Sequence, residues 1–358
     1  MTTTRTVPRR TRLLVAGVGA ALLAERLRLY RLVRTEVHPD LRVGRLVVPP
    51  ALALCGPLVR AALSAHRSPA LPERRVWDPA LDLQELTAVS PVDAHAVRVV
   101  VSTSAGARAA LGAGRRVPAL LWVHGGGHVL GDADADVEVY GYLAQELGAV
   151  AVSVEYRTAF TAPHPADVDD CWAALQWLLG GGMSGVDPAR VAVVGESAGG
   201  GTAASLVQRA VDAGLHLAAQ VLVYPMLDDR AARRARPASA PRSRGRLLWS
   251  RGLDLLGWAA YLRGPGGSGP ASARPYSVPG RRTDLSGMPP SWVGVGDLDL
   301  FHDDDVAYAE RLCRAGVECE LVVVAGMYHA ADRVAPQAPC MRAWRASMLA
   351  HLRRHLGA

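Results

Sequence analysis

Gly195-Glu196-Ser197-Ala198-Gly199 stands between a short apolar run, Arg190–Val194, and a small-residue stretch of helical period, Ala198–Ala213. A serine in that setting can attack a carbonyl carbon. Acyl transfer needs its nucleophile pushed clear of a sheet on a tight strand-to-helix turn. Glycines two residues before and after it leave room for the strain and the close packing. The helix that follows also aims free N–H groups and its positive dipole end at the site. A glycine-rich turn with no chemical role is the plain competitor, and the strand–turn–helix context argues against it. A second run, His124-Gly125-Gly126-Gly127, directly follows the strand-like Ala119–Val123. Two N–H groups from these glycines, with that of Ala198, could hold the oxyanion of a tetrahedral intermediate. His124 precedes the serine in the chain and is expected to brace the glycine loop by hydrogen bonding. A phosphate-binding turn would need G-x-G-x-x-G spacing and a cofactor acid, and both are missing.

The acid and base should follow the serine in the order Ser, Asp or Glu, His. Of the later histidines, His329 fits the base best, because the loop Ala325-Gly326-Met327-Tyr328 carries it past the strand-like Glu320–Val324. A neutral imidazole there takes the Ser197 proton and returns it to the leaving group. His351 and His355 are four residues apart and could mimic a metal pair, but Arg353 and Arg354 suggest a solvated face. The loop after Ser291–Val295 offers Asp297, Asp299, Asp303, Asp304 and Asp305. The last three read as the acidic first turn of a helix. Spacing does not choose between Asp297 and Asp299.

These residues need a frame. From about residue 95 short β runs alternate with helical segments, the pattern of a mainly parallel sheet flanked by helices. Val97–Ser102, Ala149–Tyr156 and Ala219–Tyr224 read as further strands. Val137–Leu147, Ala166–Leu179, Asp304–Ala315 and Ala338–Leu356 read as helices. Residues 1–75 are helical and basic, and residues 229–285 are rich in Arg, Pro, Gly and Ser around an apolar patch, Leu247–Leu262. Both look like additions to the sheet. The expected division is an N-terminal helical cap or anchor over 1–75 and a catalytic domain over 76–358, with 229–285 contributing a cap insert.

Composition narrows the classes. The 358 residues are 50% hydrophobic and 20% charged, as in globular proteins, and contain no lysine. Schiff-base chemistry and a lysine-bearing phosphate loop are thereby removed. The net charge of +7 is concentrated in residues 1–75, where fourteen arginines face four acids. No aromatic interleaving or nucleic-acid motif accompanies them, so no nucleic-acid partner is expected. Five cysteines without a C-x-x-C pair read as free thiols in a reducing compartment. The apolar run Leu13–Ala24 is too short to span a bilayer and reads as part of a cap helix. On that reading a cytoplasmic location is expected. Residues 9–24 read as a signal or membrane-surface anchor would make it exported or membrane-associated. Peripheral membrane contact through the basic N-terminus and homodimerisation stay open.

Over roughly residues 75–356 the chain resembles the hormone-sensitive-lipase-like branch of the α/β-hydrolases. The marks are HGGG at 124–127 with Gly131-Asp132, Glu155-Tyr156-Arg157 before Pro163-His164-Pro165-Ala166, and GESAGG at 195–200. Tyr224 to Arg230, Gly296 to Asp303 and Gly326-Met327-Tyr328-His329 complete them. The resemblance implies an α/β-hydrolase fold with a helical cap, Ser197 as nucleophile, Asp299 as acid and His329 as base. It implies oxyanion donors from Gly125, Gly126, Gly127 and Ala198. The expected reaction is ester hydrolysis through an acyl-enzyme, with neither metal nor organic cofactor, and two phenylalanines with modest apolar cap candidates, Leu13–Leu23 and Leu247–Leu262, point to short to medium acyl chains. The chain departs from the branch at Thr158-Ala159-Phe160-Thr161, at Glu196 where Asp is commoner, at Ala330, and in its arginine-rich insert. A small-molecule receptor that has lost catalysis, and an amidase, lactonase or acyltransferase using the same triad, are the competing readings.

Overall fold

The computed structural model describes residues 27, 28, 30–42, 82–263 and 274–358. An eight-stranded sheet runs through it in the order β1-β2-β4-β3-β5-β6-β7-β8. Its strands are β1 (Asp82–Val89), β2 (Ala96–Thr103), β3 (Val117–Val123), β4 (Val150–Val154), β5 (Val186–Glu196), β6 (Ala219–Val223), β7 (Ser291–Gly296) and β8 (Cys319–Val324). The first two form an antiparallel hairpin, β2 lies antiparallel to β4, and every later pairing is parallel. Helices alternate with the parallel strands: α1 (Ala105–Gly112), α2 (Val137–Leu147), α3 (Ala166–Leu179), α4 (Ala198–Asp212), α5 (Arg251–Tyr261), α6 (His302–Arg314), α7 (Ala331–Val334) and α8 (Pro339–Leu356).

Both faces of the sheet are buried, which is why its central strands read as unbroken apolar runs. Successive side chains point to opposite faces. Leu121, Val123 and Val193 therefore join α3, α4 and α6 in one apolar cluster. Leu120, Trp122 and Val194 join α2 and α8 in the other. Parallel strands with right-handed crossovers bring their carboxyl ends to one edge, where ligands bind in open α/β sheets. His124 follows β3, Ser197 follows β5, the Asp297–Asp299 loop follows β7 and the His329 loop follows β8.

The two additions to the sheet meet beside that edge. Residues 30–36 are helical, and Glu36 accepts hydrogen bonds from Arg242 N, Ser243 N and Ser243 Oγ of the insert. His38 N donates to Gly326 O, Tyr328 Oη donates to Leu41 O, and Val37 and Leu41 are buried. The insert's arginines are docking groups: Arg230 pairs with Asp228, Arg234 with Asp304 and Arg244 with Asp303. The run Leu13–Ala24 lies outside the described residues, as does most of the 1–75 segment. Among the described residues no helix is long and apolar enough to cross a membrane.

Three readings of the sequence need adjustment. The hairpin strand β1 begins before residue 95 and is half exposed, so its apolar alternation is weak. Helix α1 has only one buried residue, Ala107, and its start is marked by the Ser104 cap rather than by an apolar stripe. His351 is not on a solvated face but buried at 1% exposure, because α8 turns that side toward the sheet; Arg353 points out to Glu146 instead.

Candidate active site

Ser197 occupies a backbone conformation (φ 54°, ψ −123°) that L-residues rarely adopt. Three hydrogen bonds hold it there: Ser197 N to Val223 O, and Ser197 O accepting from Gly201 N and Met226 N. The flanking glycines are steric requirements. A Cβ on Gly195 would overlap the Gly199 carbonyl, and one on Gly199 would overlap the carbonyls of Val123 and His124. Ser197 also lies at the head of α4, whose first N–H groups have no intrahelical partner.

A hydrogen-bonded line leaves the serine. Ser197 Oγ is 2.9 Å from His329 Nε2, and His329 Nδ1 is 2.7 Å from Asp299 Oδ2. The three residues are 6%, 5% and 1% exposed. Asp299 Oδ1 accepts from Phe301 N at 3.0 Å, so one carboxylate oxygen is fixed by backbone and the other faces the imidazole. Asp297, the other acid of that loop, accepts from Gly326 N at 2.6 Å and ties the β7 loop to the β8 loop. Of the two acids that spacing left open, Asp299 is therefore the one that reaches the imidazole. Asp303 and Asp304 lie in the first turn of α6, while Asp305 is fully buried on its inner side.

The glycine loop comes beside Ser197. Gly126 and Gly127 have φ of 125° and 64°, and no N–H of Gly125, Gly126 or Gly127 donates a hydrogen bond among the described residues. With the Ala198 N–H they form a set of unspent donors next to the serine. His124 stacks on Tyr156 at 4.1 Å between centroids and approaches Gly125 O through Nδ1 at 2.8 Å. Tyr156 Oη donates to His124 O. These contacts fix the start of the loop.

A family model described as alpha/beta hydrolase fold matches residues 120–333. The chain belongs to the α/β-hydrolase fold family. Esterase LipI of Mycobacterium tuberculosis is 34% identical to this hydrolase over 260 residues, 71% of this chain and 74% of its own. Carboxylesterase NlhH of the same species is 37% identical over 252 residues, 68% and 75% of the two chains. A solved structure titled Bacterial Heroin Esterase superposes with a TM-score of 0.74 at 33% identity, covering 90% of this chain and 98% of its own.

Around Ser197 this hydrolase makes contacts that the motifs did not announce. Glu196 is bound by Arg333 at 2.7 Å, and Arg333 also reaches Asp136 at 2.8 Å. Burial pushes the Glu196 carboxyl up, Asp136 adds to the rise, and Arg333 opposes it. Tyr224 packs edge-on to His329 at 4.7 Å and donates to Asp332 Oδ1 at 2.9 Å. Trp249 of the insert covers Gly127, where a Cβ would overlap its ring, and lies 6.0 Å from the His329 ring. Its indole N–H points to Asp254 Oδ1 at 3.4 Å. A single acid inside the apolar patch Leu247–Leu262 was the available signal for Asp254. Among the described residues the group of donors close enough to share a cation is His38, Asp40 and Cys340, within 4.8 Å of one another. None of them belongs to the Ser197–His329–Asp299 line.

Proposed function

We propose that this α/β-hydrolase cleaves carboxylic esters of short to medium acyl length, with Ser197 as nucleophile, His329 as base and Asp299 as the acid that orients it. The observation that carries the reading is the unbroken line from Ser197 Oγ through both nitrogens of His329 to Asp299 Oδ2. With Nδ1–H donated to the carboxylate, Nε2 is left as the acceptor for the serine proton. Ser197 Oγ attacks the ester carbonyl, and the negative charge that forms on its oxygen meets the unspent N–H groups of the glycine loop and Ala198. Each such donor is worth about 2.7–4 kcal/mol in barrier height. The protonated His329 then delivers its proton to the alkoxide as the C–O bond breaks. Water repeats the sequence on the acyl-enzyme, with His329 again as base, and releases the acid.

The names of the relatives favour ester over amide cleavage, and the quoted motifs favour the hormone-sensitive-lipase-like branch. The length preference rests on the apolar residues around the site. Val129, Met226, Trp258, Leu300 and Phe301 form a compact cluster with Ala198. Each CH₂ that fits gains about 0.8 kcal/mol, and one that overpacks costs about 1–3 kcal/mol. The N-terminal segment and the 229–285 insert act together as the cap, a role supported by the Glu36 contacts with Arg242 and Ser243.

A fluorophosphonate should add its mass once to the wild-type chain and not to Ser197→Ala, read by intact-mass spectrometry. Turnover of p-nitrophenyl esters should rise and then fall with acyl length. An unlabelled wild-type chain that still binds small esters would favour the receptor reading instead.

A further inference from the structure

Helix α5 lies across the glycine loop. A Cβ on Gly257 would overlap the Gly127 carbonyl, and the Trp258 ring is 5.4 Å from that of His128. Residues three and four apart share a helix face, so Asp254 belongs to the face that carries Gly257 and Trp258. An acid in the first turn of a helix is ordinary, since it complements the dipole. Such acids are normally solvated, and Asp254 is 0% exposed. Its Oδ1 takes the long Trp249 contact, the Ala232 amide is near enough to favour the charged carboxylate, and its Oδ2 has no partner at hydrogen-bond distance among the described residues. Burial raises the carboxyl to about 7, against the pull of the Trp249 N–H, the Ala232 amide and His329. Trp249, which reaches Asp254 Oδ1, lies 6.0 Å from the His329 ring, so the carboxyl stands one side chain behind that imidazole. A buried acceptor left without a donor carries its full desolvation cost until a ligand supplies one.

We infer that Asp254 Oδ2 anchors a hydroxyl group on one arm of the ester, so that this site takes hydroxylated esters ahead of their plain alkyl counterparts. The surroundings select a neutral donor. The cluster of Val129, Met226, Trp258, Leu300 and Phe301 would strip a cationic group of its hydration. An ammonium would also lie near His329 at the moment that ring becomes positive.

The inference rests on ester hydrolysis at Ser197, and its test separates the two. Esters are compared as isosteric pairs in which a hydroxyl replaces a methyl, such as 3-hydroxybutanoate against 3-methylbutanoate. The pairs cover successive positions on the acyl arm and then on the alcohol arm, with turnover followed by pH-stat. In the wild type at least one position should favour hydroxyl over methyl by about tenfold or more in kcat/KM, chiefly through KM. Asp254→Leu should reverse that ratio, and Asp254→Asn, which keeps a carbonyl acceptor, should retain part of it. Fluorophosphonate labelling of each variant reports that the site is assembled. The wild-type ratios stand as a test even if the leucine variant does not fold. Good turnover with methyl favoured at every position overturns the anchor and leaves ester hydrolysis intact. So does a hydroxyl preference that survives in labelled Asp254→Leu, or an amino ester preferred over its hydroxyl analogue. Absence of both turnover and label overturns the two readings together.

Discussion

Replacing Asp299 by Asn tests how His329 is oriented as the proposed base, and the structure dictates how the amide would sit. Phe301 N donates to Oδ1 at 3.0 Å, and that buried N–H needs an acceptor. The amide oxygen must therefore take the Oδ1 position, which leaves the NH₂ where Oδ2 now faces His329 Nδ1 at 2.7 Å. A donor there forces Nδ1 to become the acceptor and moves the ring proton to Nε2, 2.9 Å from Ser197 Oγ. The imidazole then cannot take the serine proton. Loss of the correct tautomer is worth about 10⁴ in kcat, or about 5.5 kcal/mol in barrier. Asp297→Asn is the matched control, because its amide oxygen can still accept from Gly326 N. It should lower kcat by less than about tenfold. Both variants would be assayed on p-nitrophenyl butanoate, with circular dichroism and fluorophosphonate labelling as checks on folding. A larger loss at Asp297, or an Asp299→Asn enzyme within tenfold of wild type, would refute the tautomer argument.

Gly126→Ala forces φ 125° on an L-residue and drives its Cβ into the Leu130 carbonyl, so kcat should fall by at least about 100-fold. Gly114→Ala, at φ 70° with open space around it, should cost only stability, about 1 kcal/mol by denaturant titration; similar activity in the two variants would sink the distinction. Asp167 is buried with its carboxyl raised by desolvation from 3.8 to about 7. Between those values the folded chain keeps a proton that the unfolded chain releases, so stability falls as pH rises from about 4 to 7, by up to about 4 kcal/mol. Asp167→Asn keeps an acceptor for Thr202 Oγ1 and should gain Tm over wild type at pH 8 but not at pH 4, and a pH-independent difference would contradict the burial argument. Glu36→Ala releases Arg242 N, Ser243 N and Ser243 Oγ. It should flatten the acyl-length profile more than it lowers the rate on acetate, and an unchanged optimum would remove the N-terminal segment from the cap.

The parts of the site that were legible in the sequence are those where backbone geometry restricts residue choice. Gly195 and Gly199 are required by carbonyls that leave no room for a Cβ, and such requirements survive as a motif. His329 was legible because a strand and a short loop fix how far it travels. The choice between Asp297 and Asp299 was not, because both project from one turn and only the position of the β8 loop decides which meets the imidazole. Helices α2 and α3 were read to their ends because their apolar stripes face the sheet. Strand β1 and helix α1 were missed because edge elements bury too little to impose a period. Arg333 with Glu196, and Tyr224 with Asp332, join residues more than a hundred apart, and no local pattern announces such partners.

The contacts of residues 36–42 also set a schedule for the nascent chain. Glu36 waits for Ser243, 207 residues later, and Leu41 waits for Tyr328, 287 residues later. At a synthesis rate of about 5–20 residues per second, the second interval is roughly 15–60 s. During it the cluster that holds Val37 and Leu41 contains Leu120, Trp122 and Val194 but still lacks Met327, Tyr328 and α8. The loop that carries His329 thus takes part of its support from the earliest described residues, through His38 N to Gly326 O and Tyr328 Oη to Leu41 O. Ribosome-bound intermediates should therefore hold a formed β3–β5 core while remaining refractory to phosphonate. Reactivity of Ser197 toward phosphonate would appear only after the His329 loop and α8 have left the ribosome.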